Sequence, residues 1–297
     1  MSKKGLAYFL ILPAFLALML VHVIPMLWGV IISFLDLNVQ NITRWHSAPF
    51  IGLDNFKLVF ESGSNITKDF WNSILNVSYF ALMTIVTGYL IGLGVALLLN
   101  KEFPFRTVVR GIILLPFITP DTVAFSFWRF IFNSRIGILN HMLKSANIIE
   151  NNIVWLVGKN SIYAVAIASI WKGWPLAALM LLAALQQIPQ QLYDAAKIDG
   201  ANIWNRFRYV TFPYLKPVTK TLIIFNVLWN AYAYNQFYIM LGKNPGPHAD
   251  IPALYIVRRA FDNLKYGQGA ALSIVLLLLM LAVVSIMYYF FRVRAES

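Results

Sequence analysis

Residues 268–291 read Gln268-GAALSIVLLLLMLAVVSIMYYF-Phe291 and carry no charged side chain. A helix rises 1.5 Å per residue, so a run of this length crosses the roughly 30 Å hydrocarbon core of a bilayer. The run does not alternate polar and apolar residues, which excludes the ten-residue strands of an outer-membrane barrel. With no water to satisfy its backbone, it is predicted to be a helix bonded within itself. Working outward, five more runs are long enough, near 6–35, 74–99, 107–132, 162–186 and 217–241.

The composition fits these runs. Of 297 residues, 59% are hydrophobic and 12% are charged. That share of charge is about half that of a soluble domain. It excludes a disordered chain and leaves too little polar surface to cover a soluble globule. The predicted class is an all-α integral membrane protein with six transmembrane helices in one transmembrane domain, 1–297. Cysteine is absent, so there is no disulfide framework and no thiolate metal site. The net charge of +12 first suggests cytoplasmic loops rich in Lys and Arg rather than nucleic-acid binding.

The first run follows Lys3 and Lys4 but continues to Leu35. It is longer than a signal-peptide core and lacks a clean cleavage site, so it reads as an uncleaved first span. With six spans both termini share a side. Lys3, Lys4, Lys101, Arg106, Arg110, Lys197, Arg206, Arg208, Lys216, Lys220, Arg292 and Arg294 then fall close to span ends on that side. The opposite side has longer loops, 36–73, 133–161 and 242–267, with sparser bases and most of the acids. The positive-inside rule predicts a multi-pass protein of the cell membrane with both termini in the cytoplasm. The three long loops carry Gly, Pro, Asn and Trp and read as ordered caps.

Between the fourth and fifth runs, loop 187–217 is long for a helix connection. Pro189 stops the fourth run. Leu192, Ala195, Ala196 and Ile198 or Asp199 fall at helical spacing. Gly200 can take positive φ and end that helix sharply. Ile203, Trp204 and Phe207 make a second apolar stripe beside Arg206 and Arg208. Pro213 and Pro217 are expected to redirect the chain into the fifth span. The result is a rigid helix–turn–helix knob. An amphipathic connector lying along the inner leaflet is the competing reading. Against it, Asp194 and Asp199 would be disfavoured by anionic lipid, and small residues suit close approach by a protein.

This stretch resembles the EAA loop, roughly E-A-A-x-x-D-G-A-x-x-x-x-x-F-x-x-I-x-x-P-x-x-x-P, of permease subunits from binding-protein-dependent ABC importers. Asp194, Ala195, Ala196, Asp199, Gly200, Ala201, Phe207, Pro213 and Pro217 fall in register. Asp194 stands where Glu is usual, and Val210 replaces Ile. Leu114-Leu115-Pro116, Gly137 with Asn140, Trp171-Lys172-Gly173, and Phe261 with Tyr266-Gly267 and Ala270-Ala271 resemble the sugar-permease branch, the maltose-type and glycerol-phosphate-type subunits. Lys243-Asn-Pro-Gly-Pro247 departs from that branch's Gly-rich turn.

The resemblance implies a coupling helix that docks on a separate ATPase. Asp194 would pair with a base of the ATPase, Ala195 and Ala196 would pack in its cleft, and Gly200 would supply the bend. It also implies a second homologous permease subunit, an ATPase dimer holding ATP and Mg, and an extracytoplasmic solute-binding protein. The chain itself has no phosphate loop, no H-E-x-x-H and no G-x-S-x-G. Its four His residues form no cluster, so no catalytic residue, metal site or cofactor is expected on it.

Asn226, Asn230 and Tyr234 are four apart and are expected to share a helix face bordered by Trp229. Amides and rings suit a sugar, through hydrogen bonds to hydroxyls and stacking on the ring face. Alternatively the amides bond neighbouring helices and the Tyr residues belong to the interfacial belt. Asp121 and Lys172 fall near the middles of spans three and four, where charge suggests function. They suit either a structural pair or a substrate and gate role. Gly88-x-x-x-Gly92 with Gly94 reads as a packing surface. A proton- or sodium-coupled secondary transporter would need several intramembrane carboxylates and inverted repeats. A membrane-embedded enzyme would need a nucleophile or metal motif. With the resemblance, this favours an importer permease for a carbohydrate, a mono- or oligosaccharide or glycerol-phosphate.

Overall fold

The computed structural model describes residues 3–293, with side chains for residues 8–291. Of the bases used above for orientation, Arg294 and the side chains of Lys3, Lys4 and Arg292 lie outside the described residues. Among the described residues there are helices and no strand; Leu35 and Phe50 form an isolated antiparallel bridge.

In chain order the helices are α1 (Lys3–Leu18), α2 (Ile24–Ile32), α3 (Asp54–Lys57), α4 (Asn65–Leu99), α5 (Arg106–Ile113), α6 (Leu115–Ile118), α7 (Asp121–Ile131) and α8 (Ile138–Ser145). There follow α9 (Ser161–Leu185), α10 (Gln190–Ile198), α11 (Ile203–Arg206), α12 (Phe212–Ala231), α13 (Tyr234–Leu241), α14 (Pro252–Val257) and α15 (Tyr266–Val293). Among the described residues, four stretches are each long and apolar enough to cross a membrane: Tyr8–Ile32, Asn65–Leu99, Gly158–Leu185 and Tyr266–Phe291.

The run expected at 107–132 is not straight. Arg106–Ile118 and Asp121–Ile131 meet at 86°. Thr119 is extended, as a residue before proline prefers, and Pro120 precedes α7. The run expected at 217–241 also breaks, at Tyr232 and Ala233, between α12 and α13. Helix α4 begins at Asn65, well before residue 74.

Two prolines sit in helices behind the same device. A π turn over Met19–Val23 ends with Ile24 N–H bonded to Met19 O, just before Pro25. Another over Phe207–Thr211 ends with Phe212 N–H bonded to Phe207 O, just before Pro213. Proline has no N–H, and its ring clashes with the carbonyl four residues back. A widened turn moves that carbonyl aside. Neither Pro213 nor Pro217, which lies inside α12, ends the helix, which continues from Ile203 to Ala231.

The chain divides into two compact units. One contains the chain through Trp71 together with Tyr255–Ala282. In it the buried Asn55 donates to Ser33 O and Leu35 O at 2.9 Å, satisfying carbonyls at the end of α2. Gly267 N–H bonds Leu37 O at 3.0 Å. A side chain on Gly267 would bring its Cβ to 2.2 Å from Leu35 O.

The other unit contains Asn72–Leu254 and the chain from Val283. Its core gathers Phe80, Phe125, Phe132, Val165, Phe237, Met240 and Ile251. A second cluster joins Ala96, Leu99, Leu181, Leu185, Leu215 and Leu222. Of the expected glycine surface, Gly92 lies tight against α9, where an added Cβ would stand 2.9 Å from Ala177 Cβ. Gly88 and Gly94 face open space. The loops in this unit are ordered by asparagines. Asn140 accepts from Trp155 Nε1 at 2.9 Å and donates to Ile153 O at 2.9 Å. Asn76 donates to Pro247 O and Asp250 O at 2.9 and 2.8 Å.

Gly267→Val should lower the stability of the purified protein in detergent by about 1–3 kcal/mol, the usual range for overpacking. Gly94→Ala, with nothing within 4 Å of the new Cβ, should not lower it. Paired thermal-unfolding curves check the contrast.

Candidate functional site: a helical projection and a polar cavity

The projection is built from α10, a tight turn and α11. Helix α10 ends on Gly200 at φ +77. Gly200 N–H bonds Lys197 O at 3.1 Å, and Ala201 N–H bonds Ala196 O at 2.9 Å. This pair is the Schellman arrangement, and it needs the left-handed residue that glycine supplies without a steric penalty. Asn202 then caps α11, its side-chain oxygen accepting from Asn205 N–H at 2.8 Å. Tyr193 OH and Thr211 Oγ1, 2.9 Å apart, tie α10 back to the following helix.

The expected coupling residues fall on this projection. Asp194, Ala195, Asp199 and Gly200 are exposed, while Ala196 and Ala201 are half-buried. Phe207 is half-buried between the rings of Trp204 and Phe212, at 6.0 and 6.3 Å. Pro213 is exposed on the first turn of α12. Asp194 is engaged within its own helix, by Lys197 Nζ at 3.1 Å and Gln190 Nε2 at 3.3 Å. These two hydrogen bonds, Lys197 first, hold its carboxyl below the usual carboxylate range. The apolar stripe expected on the loop lies open at its tip. Ile198, Ile203 and Trp204 are 87%, 79% and 64% exposed.

The cavity lies in the unit that contains Asn72–Leu254, between α4, α7, α9, α12 and α13. It encloses about 930 Å³ of empty space, its open mouth included. Asp121, Lys172, Asn226, Trp229 and Asn230 all line it. The 86° bend places Asp121 on the first turn of α7 rather than midway along a straight span, where the helix N-terminus favours a carboxylate. Lys172 lies 3.3 Å from Asp121 Oδ1. It also donates to Phe117 O at 3.3 Å and to Thr119 O. Those carbonyls flank the bend, so the ammonium supplies hydrogen bonds where the helix cannot. Asn235 Nδ2 approaches Asp121 Oδ2 at 3.4 Å.

Asn226 and Asn230 donate to the carbonyls four residues back, Leu222 O and Asn226 O, each at 2.8 Å. Asn230 Oδ1 also accepts from Thr84 Oγ1 at 3.1 Å, linking α12 to α4. Tyr234 does not join them. The break at Tyr232 and Ala233 rotates it off their face, and its ring stacks on Tyr238 at 5.3 Å. Ser169 and Gln236 also line the cavity and were not singled out in the sequence. Ser169 lies three residues before Lys172, so helical spacing would have found it.

Residues 88–295 match the family described as binding-protein-dependent transport system inner membrane component. The chain is 31% identical to the inner membrane ABC transporter permease protein YcjO of Escherichia coli K12, over 95% of this chain and 93% of that one. It is 31% identical to the trehalose/maltose transport system permease protein MalF of Thermococcus litoralis, covering 92% and 88%. It is also 31% identical to the sulfoquinovosyl glycerol transport system permease protein SmoG of Agrobacterium fabrum, covering 99% and 92%. Among solved structures, a bacterial alginate ABC transporter, in complex with an alginate pentasaccharide-bound periplasmic protein, shares the fold. The TM-score is 0.82 at 21% identity, over all of this chain and 97% of that one.

Lys172→Met should destabilise the protein more than Asp121→Asn. The first strands a carboxylate and two carbonyls. The second strands one ammonium that keeps both carbonyl bonds. Losses of about 3–5 and about 1–3 kcal/mol are expected from the penalties for unpaired buried groups, reduced at Asp121 because its side chain is 37% exposed. Thermal unfolding of both variants and of the double variant checks the order.

Proposed function

We propose that this chain, which belongs to the family of binding-protein-dependent transport system inner membrane components, is a permease subunit forming half of the translocation pathway of an ATP-driven carbohydrate importer. Relatives named for trehalose/maltose, sulfoquinovosyl glycerol and diacetylchitobiose transport support a saccharide as the solute. On this reading a second permease completes the pathway, an extracytoplasmic solute-binding protein delivers the sugar, and an ATPase dimer holds ATP and Mg. On this reading six spans put both termini on one side, and the bases near span ends make that side the cytoplasm. Tyr8–Ile32, α4, α9 and α15 supply four. The bent α5–α7 and the broken α12–α13 supply the others, and residues 187–217 form the EAA loop.

The observation that carries the mechanism is the continuity of helix from Ile203 to Ala231. At 1.5 Å per residue it is a rod of roughly 40 Å. One end meets the projection at the Asn202 cap. The other presents Asn226, Trp229 and Asn230 to the cavity. Closure of the ATPase dimer on α10 would push this rod along its length, because the Schellman turn and the Tyr193–Thr211 bond leave little slack at the corner. Exposed Ile198, Ile203 and Trp204 fit a protein cleft, which would bury them, while Asp194 and Asp199 keep the tip from anionic lipid. Asn226, Asn230 and Trp229 then offer a sugar hydrogen bonds and a stacking face.

Reconstituted with its partners in proteoliposomes, the chain should support uptake that stops without ATP and survives an uncoupler. Gly200→Pro and Asp194→Lys should abolish uptake while the protein stays in the membrane. Gly200→Ala meets no neighbour within 4 Å, so its cost is about 1–2 kcal/mol for left-handed backbone alone, and uptake should be reduced rather than lost. Uphill uptake without an ATPase would refute this function, and normal uptake by Gly200→Pro would refute the lever.

A further inference from the structure

Among the described residues that line the cavity, Asp121 and Lys172 carry the only charges, and each is engaged by its neighbours. An ammonium has three donors. Those of Lys172 have three acceptors, Asp121 Oδ1, Phe117 O and Thr119 O. The second carboxylate oxygen of Asp121 accepts from Asn235. The remaining polar lining is uncharged, with the amides of Asn226, Asn230 and Gln236, the indole of Trp229 and the hydroxyl of Ser169. Ser169 Oγ is buried and has no partner among the described residues.

From this geometry we infer that the cavity is neutralised from within and takes an uncharged polyhydroxyl ligand while rejecting one that bears a carboxylate, sulfonate or phosphate. The inference deepens the carbohydrate-pathway reading and rests on it. An anion entering here has two options. It can stay unpaired in a site of low dielectric, which is costly. Or it can draw Lys172 away from Asp121, which leaves a carboxylate unpaired and strips the bend of its donor. A neutral sugar faces neither penalty. Its hydroxyls both donate and accept, which suits amides that already donate one hydrogen to their own helix and keep further capacity. Its ring face can lie on Trp229, which is half exposed to the cavity side.

The native chain contains no cysteine, which permits a direct test. Gly173 lines the cavity beside Lys172, and a Cβ there meets nothing within 4 Å. Gly173→Cys would be made in the full transporter and reconstituted. Its labelling by neutral hydroxyethyl methanethiosulfonate and anionic sulfonatoethyl methanethiosulfonate would be followed by the mass of this subunit. Each rate would be divided by that of the reagent with free mercaptoethanol. The normalised anionic rate should be at least about tenfold below the neutral one, a modest effect for a charge entering low dielectric. Adding Asp121→Asn, which frees the charge of Lys172, should raise the anionic rate and leave the neutral rate little changed. A normalised ratio near one in the otherwise native chain would overturn the inference. So would a low ratio that Asp121→Asn does not move. If neither reagent reacts, with or without ATP, the cavity is closed to solutes and the pathway reading itself fails, an outcome distinct from a loss of charge selectivity.

Discussion

Hydrocarbon offers no hydrogen bonds, so a span that stops being helical must find partners within the protein. Arg106–Ile118 and Asp121–Ile131 meet at 86°, and the bend leaves Phe117 O and Thr119 O without continuing helix. The ammonium of Lys172, from α9, serves both. Asp121, 3.3 Å away, balances the charge of that ammonium. One side chain thus joins the bend to α9, sets the charge of the cavity wall and fixes the start of α7. The core behind it, with Phe125 and Phe132 of that chain segment buried among Phe80, Phe237 and Met240, holds the pieces so that the three acceptors stay in reach.

A second constraint governs the long helix. Moving a distant site by pushing on a loop requires that nothing between them bend. Proline within the connection would ordinarily kink it. Here the π turn over Phe207–Thr211 takes up the missing hydrogen bond before Pro213, and the direction of the chain changes at Gly200 and Asn202 instead. The corner is made stiff by bonds of known partners: Ala201 to Ala196, Gly200 to Lys197, Asn205 to Asn202 and Tyr193 to Thr211. Stiffness at a corner and continuity beyond it are the two properties a lever needs.

Much of this was legible in the sequence. Long apolar runs marked the helices of Tyr8–Ile32, α4, α9 and α15, because length and hydropathy suffice for a span. The end of α10 at Gly200 was legible because few residues other than glycine take positive φ readily. The cost of intramembrane charge pointed to Asp121 and Lys172 as either a structural pair or a substrate and gate site, and they lie 3.3 Å apart. What sequence could not supply were the departures from straight helices. Leu114-Leu115-Pro116 and Thr119-Pro120 sit in one apolar run, and hydropathy does not distinguish a kink from a right angle. The break at Tyr232 and Ala233 has no Gly or Pro to announce it, so Tyr234 was placed on a face it does not share. Pro213 and Pro217 carried the opposite signal: both stand within a continuous helix, Pro213 behind the π turn over Phe207–Thr211 and Pro217 inside α12.

The break after Ala231 also separates two roles that a continuous helix would confuse. Helix α13 is anchored, with Phe237 and Met240 fully buried in the core and Asn235 beside Asp121. Near the end of α12, Asn230 and Ala231 are buried and Trp229 is exposed, and Asn226 and Asn230 donate to carbonyls of their own helix. Amides satisfied within their helix travel with it and need not break a bond to another helix when it shifts; the Asn230–Thr84 contact is the exception that registers α12 against α4. On the proposed mechanism, a rod that ends at this break would carry its polar face across the cavity while Asp121 and Lys172 stay with the core. Uncharged polar groups on one element and a paired charge on the other would let access to a neutral solute change without exposing an unpaired charge.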